Sequence, residues 1–336
     1  MTSKTTLSKK TKDLASRIKD KGARKASDMA KASDLEYFWM WAELAFEKNE
    51  SYPIEWEMIF DFVVTHLEGE IPDEVERNML ASGMKKKPGK HKLKTVKRRV
   101  STLSWKHKEL GFKDDVNGAK HHEISVILKK AANDIRHKTK SSKAVVKTTL
   151  KKLLSSIDAS NIGLRNRALI SLTWSSGRRR SEANSLCIED IKTDEPNYYI
   201  FELNKRKTSK SSDDTLKFKV SGQTKIYLDE WLKVSGITKG LIFRKVYKNG
   251  KIADTGISDT QFYRIIKKLC NEANIEGAEN ITPHSLRSGF VTELGIQGGN
   301  IGEGMASTGH TTLNTFISYY QAGETESNST TDLLDD

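Results

Sequence analysis

"NYYIFELNKRKTSKSSDDTLKFKVS", Asn197 to Ser221, shows strand-like alternation in a chain that otherwise reads as helix. Apolar and polar residues alternate through "TLKFKVS" and through the second half of "YYIFELN", the period of a half-buried strand. The Lys/Ser/Asp-rich segment between them suits the loop of a hairpin. Upstream, helical spacing is found at Val145–Ile157 and Leu164–Ser175. Downstream it resumes at Thr224–Val234, at Asp259–Ala273 and from His284 onward. The hairpin therefore decides the class: mainly α, with one small antiparallel β-sheet set among helices.

The first third of the chain has no strand signal. "SDLEYFWMWAELAFEKN", "IEWEMIFDFVVTHLEG", "KLKTVKRRVSTLSWKHKELG" and "HHEISVILKKAANDIRHK" all carry helical apolar spacing. We expect a flexible basic arm over 1–25, with nine basic and two acidic residues, and a helical domain over 26–137. A Ser/Lys-rich linker containing "KTKSSK" covers 138–146, and a mostly helical second domain 147–323. The last stretch, 324–336, has five acids and no base. No internal repeat is evident.

Composition narrows the function classes. At 336 residues, 36% hydrophobic and 30% charged, the chain suits two globular domains. No apolar run approaches a membrane span, and the N-terminal residues lack the apolar core of a signal peptide. Cys187 and Cys270 offer neither a disulfide framework nor a metal site, so a reducing cytoplasm is expected. The net charge of +13 points to a polyanion. It is concentrated from Lys85 to Lys108, where eleven Lys/Arg stand with no acid. Pro88 and Gly89 break that segment into a loop holding Lys85, Lys86 and Lys87, followed by a helix that opens at Lys92. Its apolar stripe is Leu93, Val96, Val100, Leu103 and Leu110; Lys94, Thr95, Arg98 and Arg99 are read as lying off the stripe. Such a helix fits a DNA major groove, cations on phosphates and one or two side chains on bases. In the second domain "SDTQFYRIIKKL" offers another groove helix, with Thr260 or Gln261 near base edges.

Three short segments carry chemistry. "WSSGRRRSEANSL" puts Arg178, Arg179 and Arg180 at a helix start, where successive residues diverge by roughly 100° and cannot all face one pocket. "TPHSLRSGFVTELG" sets His284 and Arg287 on one helix face, with Pro283 as the start signal. "STGHTTLNTFISYYQAG" places His310 nine residues before Tyr319. In one straight helix those two would sit on opposite faces, so a shared site requires a turn, and Gly309 with Thr311 and Thr312 supplies a break and a cap.

Taken in order, Gly-x-Arg-x-Ser-Glu, His-x-x-Arg, Gly-His and a tyrosine nine later, the chain resembles the tyrosine recombinase (phage integrase) family, nearest its Cre-like members. The resemblance covers most of the chain. It implies Arg179 as the first catalytic arginine, His284 and Arg287 as the His-x-x-Arg pair, His310 as a phosphate or tyrosine contact, and Tyr319 as nucleophile. Tyr320, about 100° round the helix, is then packing. The family's lysine lies in the hairpin, where Lys207 is favoured and Lys205 and Lys210 are rivals. Glu182 is expected to orient neighbouring groups. Also implied are a helical core-binding domain and a catalytic domain clamping DNA, with inverted-repeat target sites. A homotetramer on two sites would form, a dimer on each, with "TTDLLDD" (Leu333, Leu334) docking on a neighbour. Neither metal, nor ATP, nor other cofactor is expected, and the setting implied is a bacterial or archaeal nucleoid or plasmid. The residue types fit: arginine forks hold non-bridging oxygens and keep their charge, and a phenol titrating near ~10 needs a base such as His284. A type IB topoisomerase or a non-catalytic DNA-binding regulator are the rival readings. The short arm departs from integrases that carry a separate N-terminal domain.

Overall fold

The computed structural model describes residues 25–136, 143–204, 215–310 and 313–327. Lys205, Lys207 and Lys210, Thr311 and Thr312, Leu333 and Leu334, and nearly all of the arm and of "KTKSSK" lie outside the described residues. The chain divides into two compact units, Met1–Thr139 and Lys140–Asp336.

The first unit is helical. It comprises α1 (Lys25–Phe46), α2 (Trp56–Glu68), α3 (Asp73–Ala81), α4 (Leu93–Glu109) and α5 (His122–Arg136). The aromatic run of α1 closes the core: Tyr37, Phe38 and Trp41 are fully buried with Phe62 of α2, whose ring meets Phe38 at 5.2 Å and Trp41 at 5.1 Å edge-on. Burial of each such side chain contributes roughly 1.5–3 kcal/mol, so these rings dominate the unit's stability.

Two of the expected DNA-facing cations are buried instead. Arg99 is 8% exposed; its guanidinium lies 3.2 Å from the Tyr37 ring centroid and 3.5 Å from the buried Asp34 carboxylate. Lys85 is 2% exposed and held by Glu76 at 3.2 Å and the Gly89 carbonyl at 2.6 Å. A cation leaves water at less cost when it is paired; both have a carboxylate partner, although Arg99 Nε and Nη1 make no hydrogen bond among the described residues. Leu110 was expected on the stripe, yet it caps α4 at 48% exposure. Lys86, Lys87, Lys92 and Lys94 are exposed and Thr95 half-buried. Arg98 is half-exposed, with Nη1 2.5 Å from Asp34.

The buried histidine of α2 makes this unit acid-sensitive. His66 Nδ1 faces the Phe62 carbonyl at 2.7 Å and must donate; its Nε2 then accepts from Tyr37 Oη at 3.1 Å, leaving that oxygen to accept from His91 Nε2 at 2.9 Å. Burial first, and then the charges of nearby cations, push His66 down to about 2 and His91 to about 4. Both are neutral in the fold, whereas in the unfolded chain they take protons as pH falls below the ordinary 6.5. The stability is therefore whole above that pH and lost below it. Urea unfolding at pH 5 should cost about 2 kcal/mol less than at pH 7 through His66 alone. His66→Gln should flatten that slope; an unchanged slope overturns the account.

The second unit starts with α6 (Lys147–Ser155), α7 (Asn161–Ser175) and the short α8 (Arg180–Asn184). The strands β1 (Ile191–Glu195), β2 (Tyr198–Asn204) and β3 (Thr215–Ser221) form an antiparallel sheet in the order β1-β2-β3. β2 and β3 are the expected hairpin, paired from Tyr198↔Ser221 to Asn204↔Thr215. After α9 (Gly222–Ser235), a second small sheet pairs β4 (Arg244–Val246) with β5 (Ile252–Gly256). Then follow α10 (Asp259–Glu272), α11 (Pro283–Ile296), α12 (Ile301–Thr308) and α13 (Leu313–Ser327). The inward residues of the hairpin, Phe201 and Phe218, stack at 5.1 Å and join Leu169, Leu228, Trp231, Phe262 and Leu286 in one core. Two expected boundaries shift. Val145, placed in the linker, is fully buried, donates its N–H to the Ser285 carbonyl at 3.0 Å and accepts from Trp174 Nε1 at 2.6 Å. At the other end, the limit at 323 falls inside α13.

Helices α11 and α13 touch backbone to backbone. A Cβ on Gly295 would collide with the Tyr320 carbonyl oxygen, and one on Gly323 with that of Thr292. Gly295→Ala must therefore push α13 away, at a cost of about 1–3 kcal/mol for an overpacked contact. The same shift moves Tyr319 off the α11 residues, and a displacement near 1 Å is worth about 10²-fold in an oriented reaction. Gly295→Ala should thus lose stability in urea unfolding and, with it, the placement of Tyr319. Stability within error of wild type would show that the helices can part freely.

Candidate active site

The turn between α7 and α8 begins the site. Gly177 takes φ 59°, a left-handed conformation, and a Cβ there would stand 2.5 Å from Thr308 Cγ2, so glycine is required on both counts. The three arginines that follow diverge as the helix geometry demands. Arg178 is fully buried, donates to the Ser307 and Ser176 carbonyls and lies 5.0 Å from the Phe218 ring centroid. Arg180 leaves sideways to Asp259 at 3.0 Å. Only Arg179 is exposed, and Glu182 holds it: the carboxylate accepts the Arg179 backbone N–H at 2.9 Å and its Nη1 at 2.7 Å. Glu182 stays below the usual carboxylate range because these hydrogen bonds and the Arg178 and Arg179 charges outweigh its burial.

Thr282 and Pro283 start α11, and one turn sets His284 and Arg287 on a common face. Arg287 is 2% exposed; its Nη1 donates to the carbonyls of Gly177 at 2.6 Å and Thr308 at 2.7 Å. Its Nη2 is buried with no hydrogen-bond partner among the described residues. Burial, then repulsion from Arg179, brings this guanidinium down to about 10, so it remains a cation at neutral pH. A buried charged donor left unpaired is costly; Arg178 Nη1 and two nitrogens of Arg99 share that condition, and Arg287 differs in sharing a helix face with His284. His284 keeps part of its ring in solvent. Burial of the rest, then the Arg287 and Arg179 charges, lower it, which keeps it neutral near pH 7.

Gly309, at φ 66°, ends α12 and turns the chain before α13. The turn lets His310 and Tyr319 approach one site despite their spacing. His310 is half-buried, with Nδ1 2.6 Å from Thr308 Oγ1, and burial followed by the Arg287 and Arg179 charges pushes it down to about 4. Tyr319 Oη lies 3.4 Å from His284 Nε2, a loose contact of the kind that tightens on substrate binding. Tyr320 points the other way: 5% exposed, it donates to the Gly299 carbonyl at 2.8 Å and stacks on Phe316. The end of the hairpin at Asn204↔Thr215 reaches the same place, since Leu216 of β3 would lie 3.5 Å from a Cβ on Gly309.

The structure thus gathers Arg179, Glu182, His284, Arg287, His310 and Tyr319. On α10, Thr260 is exposed, whereas Gln261 is half-buried and its Oε1 accepts the Ser258 N–H at 2.9 Å in a capping box. Base reading by Gln261 requires that cap to share its acceptor. Thr308 was missed by sequence reasoning; its signal is a hydroxyl two residues before a histidine across a helix-ending glycine. Among the described residues no group of three or more His, Cys, Asp or Glu could hold a metal ion, and no helix is long and apolar enough to cross a membrane.

Residues 143–326 match the phage integrase family, and the chain belongs to it. An integrase/recombinase XerD homolog of Selenomonas ruminantium is 27% identical over 206 residues, 60% of this chain and 60% of that relative. The chain thus matches less than two thirds of the length of that curated relative. Two solved structures show the fold. The Tn1549 transposon integrase bound to transposon right end DNA aligns at TM-score 0.58 and 15% identity, over 93% of this chain and 96% of that one. A lambda integrase dimer bound to a COC′ core site aligns at 0.55 and 15%, over 93% and 92%.

Proposed function

We propose that this protein is a site-specific DNA recombinase that cleaves and rejoins strands through a 3′-phosphotyrosyl bond at Tyr319. The observation that carries the reading is the Tyr319 Oη contact with His284 Nε2 at 3.4 Å, on the α11 face that also carries Arg287 with its buried, unpartnered Nη2. A phosphodiester seated there meets the Arg287 and Arg179 forks with its non-bridging oxygens. Tyr319 Oη attacks phosphorus as its proton passes to His284 Nε2; the bond to O5′ breaks, and O5′ takes a proton from a hairpin lysine, Lys207 in our reading. The 5′-hydroxyl of a partner strand then attacks the phosphotyrosine, giving its proton to the lysine; the bond to Tyr319 Oη breaks, Oη takes its proton back from His284, and the phosphodiester is restored. Fixed cations supply the charge stabilisation, so neither metal nor ATP is required. The bond energy is kept in the phosphotyrosine.

The finer assignments belong to this proposal: a Cre-like enzyme of a plasmid or phage element in a bacterial or archaeal cytoplasm, acting as a tetramer on two inverted-repeat sites. The first unit serves as the core-binding domain, with Lys86, Lys87, Lys92, Lys94 and Arg98 toward DNA. Duplexes selected from a random library by binding give the target, which is then placed once or twice in a supercoiled plasmid. Exchange that depends on two sites supports the recombinase. Relaxation without exchange means a topoisomerase, and retardation without cleavage a regulator.

The acidic tail beyond α13, with Leu333 and Leu334, is too short to hold a helix alone and is assigned to a groove on a neighbouring subunit. Truncation after Ser327, which leaves α13 whole, should preserve single-site binding and abolish paired-site synapsis. Full recombination by the truncated chain overturns the tail's role.

A further inference from the structure

Thr308 meets three parts of the site at once. Its methyl packs under Gly177, its carbonyl accepts from Arg287 at 2.7 Å, and its hydroxyl lies 2.6 Å from His310 Nδ1. The first two contacts would survive in valine; only the hydroxyl addresses the histidine. The side chain is fully buried, so no solvent competes for that hydrogen bond.

The hydroxyl has one proton and a choice of acceptors. Gly304 O, at 2.8 Å, lies four residues back in α12, where the helix already supplies it with a backbone N–H. Met305 O, at 3.3 Å, already accepts the backbone N–H groups of Gly309 at 2.8 Å and His310 at 3.3 Å. His310 Nδ1 is nearest. A neutral imidazole carries one N–H, and accepting at Nδ1 fixes that proton on Nε2.

We propose that Thr308 is a positioning residue: it donates to His310 Nδ1, so that neutral His310 presents Nε2–H as a hydrogen-bond donor to a phosphate oxygen. This rests on the recombinase reading above for the identity of the acceptor, but not for the tautomer. The opposite tautomer would turn a bare lone pair toward an anion. With the Arg287 and Arg179 charges opposing protonation of the ring, a neutral donor is the form the site can hold at neutral pH. The same residue thereby sets both the histidine proton and the Arg287 fork, one through its side chain and the other through its backbone.

The test separates tautomer from activity. Full-length protein carrying 15N-histidine is examined by NMR near pH 7 without DNA, with His310 assigned from an H310N spectrum. The expected result is Nε2–H in wild type and in Thr308→Ser, and a mixed population in Thr308→Val. Single-turnover cleavage of the selected target duplex should then fall at least about tenfold in Thr308→Val, a lost oxyanion donor being worth about 10²–10³ and part of the population keeping the right tautomer. Thr308→Ser should restore it. Wild type with Nδ1–H, or Thr308→Val with an unshifted tautomer, overturns the proposal. Should Thr308→Val fail to fold, the wild-type and Thr308→Ser spectra decide alone. A correct tautomer with no DNA cleavage by wild type would instead overturn the functional reading.

Discussion

Tyr319→Phe should bind the target duplex as wild type does and form no covalent protein–DNA adduct, a loss of more than about 10⁴-fold, since removing a nucleophile has no substitute in the site. Tyr320→Phe should keep most of the activity. The basis is directional. Tyr319 Oη stands 3.4 Å from His284 Nε2, while Tyr320, one residue on, donates to the Gly299 carbonyl and packs on Phe316. Tyr320→Phe leaves one carbonyl short of a donor, a cost of about 1–3 kcal/mol in stability without touching the reacting atoms. Denaturing gels on a nicked substrate, which traps the adduct by letting the 5′ fragment diffuse away, count the product. An adduct in Tyr319→Phe, or its loss in Tyr320→Phe alone, would reverse the assignment.

The register behind that assignment was legible from sequence because helix geometry is local. Adjacent residues diverge by about 100°, and the same rule foretold that Arg178, Arg179 and Arg180 would part company. The hairpin was legible too, since "TLKFKVS" alternates cleanly and "YYIFELN" joins an aromatic, β-branched run to alternation from Phe201 on. β1 was not: "IKTDE" holds a single large apolar residue and becomes a strand only because β2 offers it an edge. Arg99 exposes a different blind spot. It stands three after Val96 and four before Leu103, squarely on the buried face of α4, but its charge argued for the surface. Asp34 and the Tyr37 ring, more than fifty residues away, make its burial tolerable, and no local pattern announces such a partner. Lys85 with Glu76 is the same case at shorter range. Thr308 was missed because its role depends on the turn at Gly309, which folds the hydroxyl back on the histidine two residues later. Long-range compensation and turn geometry are thus where residue type misleads; periodicity and ordered motif spacing are where it does not.

Arg287→Lys should fold and bind DNA like wild type yet cleave at least about 10³-fold more slowly. The guanidinium has two separable duties. Nη1 satisfies the Gly177 and Thr308 carbonyls, and Nη2 is the buried, unpartnered donor that the proposed mechanism gives to the phosphate. A lysine ammonium can serve both carbonyls as a compact charge, so the turn at Gly177 and the end of α12 should keep their places. What it lacks is the planar fork that extends a second donor past those carbonyls toward the phosphate. An arginine aimed at a transferring phosphoryl group is worth about 10³–10⁵ in rate, and a single oxyanion donor about 10²–10³. Arg287→Met should behave differently, since it strands two buried carbonyls at about 1–3 kcal/mol each and lowers stability as well as rate. Urea unfolding and single-turnover cleavage of both variants resolve the two duties. Cleavage by Arg287→Lys within tenfold of wild type would mean that the buried charge alone suffices, and that the unpartnered Nη2 is not the phosphate donor.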